Sequence, residues 1–219
     1  MKIQMKNKTA EVLLYEDIGG WFGITADRFA REIKALGDIS TINLRINSNG
    51  GNVFDGVAIY NYLKSHKARV EVDIDGIAAS ITSIVAMSAD EIRIADNGWL
   101  MIHDPWVQTV GRADELRKTA DTMDGIRDTL LDTYMKRAKL SREEVSKMMT
   151  EETWISGKDA VKFGFADSTT GEMKIAASVH KDWFKNAPES LINDGFTPEH
   201  KHIKQVSARM AQSLRKFKI

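Results

Sequence analysis

The stretch DGIAAS, residues Asp75 to Ser80, lies between a strand pattern and a helix pattern. The run Val70–Ile74 before it is of β type, and the run after it is apolar and typical of a short buried helix. A strand that turns sharply into a helix projects its turn residue out of the sheet, beside the free N–H groups and the positive dipole end of the helix start. A nucleophilic serine with an oxyanion site needs this arrangement, so Ser80 is a candidate nucleophile.

A serine hydroxyl is too weak an acid to attack unaided, so a base must lie within hydrogen-bond reach. His103 follows the strand-like run Leu100–Ile102 and is the only histidine in the middle of the chain that ends such a run. It is therefore the candidate base. Taken alone, residues 75–80 also fit a second interpretation, in which small residues between a strand and a helix serve close packing only.

The flanking patterns alternate strands with helices. We predict strands at Ala10–Tyr15, Ile42–Ile46, Val70–Ile74, Glu91–Ile94 and Leu100–Ile102, and helices at Ala26–Leu36 (capped by Thr25), Val53–Ser65 and Ser80–Met87. This order favours parallel strand pairing and an α/β layer fold. A long charged helix follows over Arg112–Lys139, and caps at Ser141 and Ser156 predict two shorter helices, the second ended by Gly164.

Composition narrows the classes of function. The 219-residue chain has 31 basic and 31 acidic residues and a formal net charge of +0, which gives no support to a nucleic-acid or membrane partner. It has no cysteine, which excludes disulfides, thiolate metal sites and cysteine nucleophiles. The first residues are charged, without the apolar region of a signal peptide, and we expect a soluble cytoplasmic protein.

The character of the sequence changes after about Thr170. The segment from Ala177 to Pro198 carries two of the three prolines, and residues 200–218 form a basic helical pattern. We therefore expect a catalytic domain over residues 1–172 and a C-terminal appendage over residues 173–219, helical at its end. His200 and His202 have a metal-ligand spacing but no third ligand nearby, so no metal and no cofactor is expected.

Four motifs in order resemble the Clp protease proteolytic subunit. They are Ile46–Gly51, Gly76–Ser80, Met101–Pro105 and Trp154–Asp167, and the similarity spans roughly Ala10 to Ser168. The closest similarity is to Clp-like (ClpP-like) peptidases encoded in phage and prophage head-assembly regions. The resemblance implies a ClpP/crotonase-like spiral of parallel β–α units with a protruding handle helix, which the Arg112–Lys139 region would supply.

The resemblance also implies the roles of individual residues. Ser80 would be the nucleophile and His103 the general base, with the backbone N–H groups of Gly51 and Ile81 as the oxyanion hole. The third triad position, an aspartate in the family, is Glu152 here. Glu152 either orients the imidazole or is a surface carboxylate, and Glu151 and Asp104 are weaker candidates.

The function implied is that of a serine endopeptidase with an ATP-independent core. It would cleave unfolded or assembly-stage proteins inside a homo-oligomeric chamber of two stacked rings, in phage head maturation. The short polar segment before Ala10 lacks the apolar axial segment that Clp subunits present to ATPase partners, and it argues against such a partner. Two alternatives stay open: a non-catalytic ring or scaffold subunit, which Glu152 in place of aspartate favours, and a crotonase-type acyl-CoA enzyme, which needs no Ser–His pair.

Overall fold

The computed structural model describes residues 1–20, 23–173, 179 and 184–192. In chain order the elements are β1 Lys2–Lys6, β2 Thr9–Leu14, α1 Ala26–Lys34, β3 Thr41–Ser48, α2 Val53–Ser65, β4 Arg69–Ala79, α3 Ile81–Ala86, β5 Glu91–Ile94, β6 Trp99–Ile102, α4 Ala113–Met135, α5 Arg142–Thr150, β7 Thr153–Ser156, α6 Gly157–Phe163 and β8 Ser168–Thr169. A single 3₁₀ turn, Glu189–Leu191, lies in the described part of the C-terminal region.

One strand, β4, belongs to two parts of the sheet. The main path runs β1-β2-β3-β4-β5-β8, and β6 leaves this path to pair with β4 and β7. Residues 71–74 of β4 pair with β5, and residues 77–79 pair with β6. Because both partners are parallel to β4, the ends of β4 and β6 lie at the same edge of the sheet. The residues that follow these two strands, Ser80 and His103, are thereby brought together.

The core joins the sheet to the helices packed against it, α1 and α2 among them. In β3, the fully buried Ile42, Leu44 and Ile46 alternate with partly exposed residues. They belong to the same apolar cluster as Phe29 and Ile33 of α1. Full burial of such a side chain contributes about 1.5–3 kcal/mol, and truncation of Leu44 to alanine costs about 2–5 kcal/mol of stability.

A polar network supports β4 just before the turn at Ser80. The Asp75 carboxylate is only 3% exposed. It accepts hydrogen bonds from Arg45 Nε at 2.8 Å and from the Tyr15 hydroxyl at 2.5 Å. Burial and the neighbouring Asp75 carboxylate raise the pKa of Tyr15 to about 12, so its hydroxyl stays protonated and continues to donate. The network ties β2, β3 and β4 together.

The predicted α/β order is confirmed, with local exceptions. The bounds of α2 and β5 are those predicted, and the predicted caps of α1, α5 and α6 are present, including Gly164 in the left-handed conformation. The strand predicted at Val70–Ile74 is longer than expected, because β4 continues to Ala79 through its pairing with β6. The β1–β2 hairpin, with antiparallel register, was not predicted.

The expectation for the long helix also needs correction. The region Arg112–Lys139 was expected to protrude as a handle helix, but Leu130 and Leu131 within it are 5% and 2% exposed and belong to the core of their own chain. Leu116, in the first turns of the same helix, is 41% exposed. The end of α4 is thus anchored in the domain, and only its beginning is free of the core.

Part of the C-terminal region packs against the sheet. Val179, Phe184 and Leu191 form a second apolar cluster with Ile77 and Met101, on strands β4 and β6. His200, His202 and the predicted terminal helix lie outside the described residues. None of the described helices combines the length and apolar character that crossing a membrane requires.

Candidate active site

Ser80 occupies a strained backbone conformation between β4 and α3. Its φ is 56° and its ψ is −131°, a combination that non-glycine residues seldom adopt. The surroundings hold it there: the Ser80 N–H donates to Met101 O at 3.0 Å, and the Ser83 N–H donates to Ser80 O at 3.0 Å. The predicted sharp turn is therefore present at Ser80 itself, and it presents the hydroxyl at the end of the strand.

His103 meets this hydroxyl. Its Nε2 lies 2.7 Å from Ser80 Oγ, a hydrogen bond between the residues that follow β4 and β6. Burial lowers the pKa of His103, and the negative charges of Glu152 and, less strongly, Asp104 act in the opposite direction. Because burial prevails, the imidazole is neutral near pH 7 and can accept the serine proton.

The glycine loop Asn49–Gly51 lies against the serine. A Cβ at Gly50 would stand 2.7 Å from Ser80 Cβ, and one at Gly51 would stand 2.1 Å from Ile18 O. Both glycines have positive φ, 103° and 139°. Ile18 clamps the loop, since its N–H donates to Gly50 O at 2.7 Å and its carbonyl accepts from the Asn52 N–H at 2.8 Å.

Two backbone N–H groups near Ser80 are available to an anion. Among the described residues, the Gly51 N–H has no protein acceptor. Ile81 is the first residue of α3, so its N–H has no carbonyl to bond within the helix. These are the two groups that the resemblance assigns to the oxyanion hole.

Glu152 lies in the turn between α5 and β7, in a left-handed conformation with φ 51°. Its charge acts on His103, but no hydrogen bond joins the two side chains in the described structure. Its Oε1 instead accepts from the backbone N–H of Asn186 at 2.7 Å. Glu152 thus lies close enough to His103 for its charge to act on the imidazole, but its carboxylate is hydrogen-bonded to Asn186 and not to His103.

The weaker candidates are bound elsewhere. Asp104 Oδ1 accepts from Arg127 Nε at 2.7 Å, and its Oδ2 accepts from Thr150 Oγ1 at 3.0 Å. Glu151 is exposed and forms an ion pair with Lys147 at 3.7 Å. Asp104 consequently joins α4 to α5, and the Glu151 side chain faces solvent.

A cleft of about 720 Å³ opens beside His103. Its walls come from the loop after β6, the α5–β7 turn and the C-terminal segment, and they include His103, Trp106, Glu152, Phe184 and Asn186. Sequence reasoning missed Phe184 and Asn186, since neither stands in a recognisable motif. Within the described ranges, no three side chains of metal-binding type converge.

The hydrogen-bonded Ser80–His103 pair thus lies at the ends of two parallel strands. Comparison with known proteins shows the family to which the chain belongs. The Clp protease family model matches residues 23–173. The chain therefore belongs to the Clp protease family, which confirms the predicted family and its α/β spiral fold.

Individual relatives are moderately similar. The chain is 32% identical over 135 residues to the ATP-dependent Clp protease proteolytic subunit of Deinococcus radiodurans, covering 61% of this chain and 66% of that one. Subunit 1 of the same protease from Protochlamydia amoebophila is 31% identical over 126 residues (56% and 61%), and that from Salinibacter ruber is 24% identical over 152 residues (68% and 65%). The chain thus spans slightly less than two thirds of the length of these relatives.

Proposed function

We propose that this protein is a serine endopeptidase of the Clp protease type, with Ser80 as nucleophile and His103 as general base. One observation carries the proposal: the 2.7 Å hydrogen bond between Ser80 Oγ and His103 Nε2, made at a strained turn whose conformation the surrounding backbone maintains. Strain of this kind costs about 1–3 kcal/mol and is concentrated at functional sites. A serine kept only for its small size has no need of either feature.

The reaction follows from these positions. Ser80 Oγ bonds to the scissile carbonyl carbon while its proton passes to His103 Nε2, and the carbonyl oxygen becomes an oxyanion. The Gly51 and Ile81 N–H groups donate to that oxyanion, each contributing on the order of 3 kcal/mol. The imidazolium then protonates the leaving amine as the C–N bond breaks. A water molecule that His103 deprotonates hydrolyses the acyl-enzyme and restores the serine.

Glu152 is proposed as the third member of the triad. Its negative charge favours the imidazolium that forms during attack. The upward effect of this charge on the pKa of His103, against the lowering by burial, supports that role. Each step of the reaction uses protein groups and water, so the hydrolytic core needs no ATP. The ATP dependence in the names of the relatives belongs to those proteins.

The proposed substrates are unfolded or assembly-stage proteins, cleaved within a ring-shaped homo-oligomer in phage head maturation. Exposed apolar side chains support a contact between subunits: Trp106 and Val110 in the loop before α4, and Leu116 within it, are 71%, 76% and 41% exposed. Native mass spectrometry tests this part. A stable monomer at micromolar concentration would contradict the ring.

Labelling by a fluorophosphonate, followed by mass spectrometry of the intact protein, tests the chemistry. We expect one adduct, located at Ser80, and none in the Ser80→Ala variant. The variant should also fail to hydrolyse casein while it keeps the wild-type melting temperature, because it loses one oxygen at a small-residue site. A folded wild-type protein that takes no label and leaves casein intact would overturn the peptidase assignment.

That outcome would favour the second candidate, a non-catalytic ring or scaffold subunit. The observation in its favour is that Glu152 replaces the family aspartate and bonds to Asn186. The crotonase-type alternative is not favoured. Such an enzyme does not require a Ser–His pair, whereas Ser80 and His103 are hydrogen-bonded here.

A further inference from the structure

The described C-terminal segment, residues 184–192, contacts the proposed triad directly. The Phe184 ring meets the His103 ring edge-on, with centroids 6.3 Å apart and planes at 74°. On another side it packs edge-on against Trp154, with centroids 5.2 Å apart. Phe184 is 9% exposed and belongs to the apolar cluster that includes Met101 of β6. The ring therefore packs against the imidazole on one side and against the apolar cluster of the domain on another.

The same segment holds the turn that carries Glu152. The Asn186 backbone N–H donates to Glu152 Oε1 at 2.7 Å, and its side-chain Nδ2 donates to Glu151 O at 2.7 Å. One residue thus bonds to the two adjoining residues of a turn whose Glu152 has positive φ. A hydrogen bond from a backbone N–H to a carboxylate is stronger than one between neutral groups, and it fixes the carboxylate's direction.

We propose that Phe184 and Asn186 are positioning residues of the active site: Phe184 orients the His103 ring and shields it from water, and Asn186 holds the Glu152 carboxylate toward that ring. This inference rests on the proposed function, since it concerns the same triad. Under it, the appendage supplies part of the catalytic geometry, and the domain over residues 1–172 holds an incomplete site.

The shielding role predicts a change in proton affinity. Burial is the dominant cause of the lowered His103 pKa, and removal of the Phe184 ring lets water reach the imidazole. The pKa of His103 should then rise toward its ordinary value. The charged groups around His103 are unchanged by this substitution; they are Glu152 and Glu151 from the α5–β7 turn, Asp104 with its partner Arg127, and Lys185 from the C-terminal segment.

The first experiment compares the full-length wild type with Phe184→Ala and Phe184→Leu. The His103 titration is followed by NMR, with the resonance assigned by loss in His103→Gln. We expect a higher pKa in Phe184→Ala and a value near wild type in Phe184→Leu, which keeps apolar cover. This measurement needs no hydrolysis, so it decides the inference even if the peptidase assignment fails. An unchanged pKa in folded Phe184→Ala would overturn the shielding role.

The second experiment separates the two hydrogen bonds of Asn186, an exposed residue whose variants should fold. Asn186→Pro removes the backbone N–H and the side-chain amide, whereas Asn186→Ala removes only the amide. We expect kcat to fall roughly tenfold to a hundredfold in the proline variant with KM little changed, and by at most about threefold in the alanine variant. Glu189→Ala, an exposed change in the same segment, is the control with wild-type kcat.

An equal decrease in kcat in the Asn186→Pro and Asn186→Ala variants would contradict the role of the backbone N–H. A rise in kcat in either variant would overturn the inference altogether, because it would mean that the segment obstructs the site. If the wild type lacks activity, the NMR titration of Asn186→Pro replaces the kinetic comparison. If Asn186→Pro releases the Glu152 carboxylate, the pKa of His103 should be lower in this variant than in Asn186→Ala, because the negative charge that raises it is no longer held toward the ring. Coincident titration curves of the two variants would count against the proposal.

Discussion

Replacement of Gly50 by alanine is the sharpest test of how the glycine loop and the nucleophile fit together. The new Cβ would lie 2.7 Å from Ser80 Cβ and 2.8 Å from Ala79 O. Ordinary van der Waals contact begins at 3.4 Å, so the loop and the serine must separate by about 0.7 Å. Alanine at a φ of 103° adds backbone strain of about 1–3 kcal/mol.

The displacement falls on the reacting group. A misplacement of about 1 Å costs on the order of a hundredfold in rate, so Gly50→Ala should lower kcat about tenfold to a hundredfold. Gly37→Ala is the matched control, because Gly37 also has positive φ, 73°, but a Cβ added there would meet no atom within 4 Å. That variant should lose only about 1 kcal/mol of stability and keep its activity.

The assay measures the rate at which a fluorophosphonate labels Ser80, together with the melting temperature. Slow labelling of a still-folded Gly50→Ala protein, beside normal labelling of Gly37→Ala, is the expected pattern. If Gly50→Ala labels at the wild-type rate with an unchanged melting temperature, the loop does not constrain Ser80 and the reasoning from its close approach is refuted.

Three further predictions concern charge and assembly. Glu152→Gln should lower kcat strongly and move the acid limb of the pH–rate profile to lower pH, because it removes the negative charge that raises the pKa of His103; an unmoved limb would exclude the electrostatic role. Arg45→Ala leaves the Asp75 carboxylate, 3% exposed, without its cation and should cost about 3–5 kcal/mol in urea unfolding; a loss below about 1 kcal/mol would contradict this. Leu116→Glu, at an exposed position of α4, should weaken the oligomer in native mass spectrometry without unfolding the subunit, and an unaffected oligomer would place the interface elsewhere.

The sequence by itself determined the features that depend on neighbours along the chain. The caps at Ser141 and Ser156 and the helix stop at Gly164 use side chains or backbone within a single turn, so their residues could be identified directly. The meeting of Ser80 and His103 was also predictable, because each follows a strand and parallel strands end at one edge. The resemblance to the Clp protease family followed from motifs of the same local kind.

Only the tertiary structure decided what depends on contacts between distant segments. The β4 strand passes through Gly76 because β6 supplies hydrogen bonds to residues 77–79, and no local signal marks that pairing. The partner of Glu152 is Asn186, and the neighbour of the His103 ring is Phe184, both from a segment with no motif of its own. Packing of that segment against the sheet sets these contacts, and the free energy of such packing depends on surfaces that exist only in the folded chain.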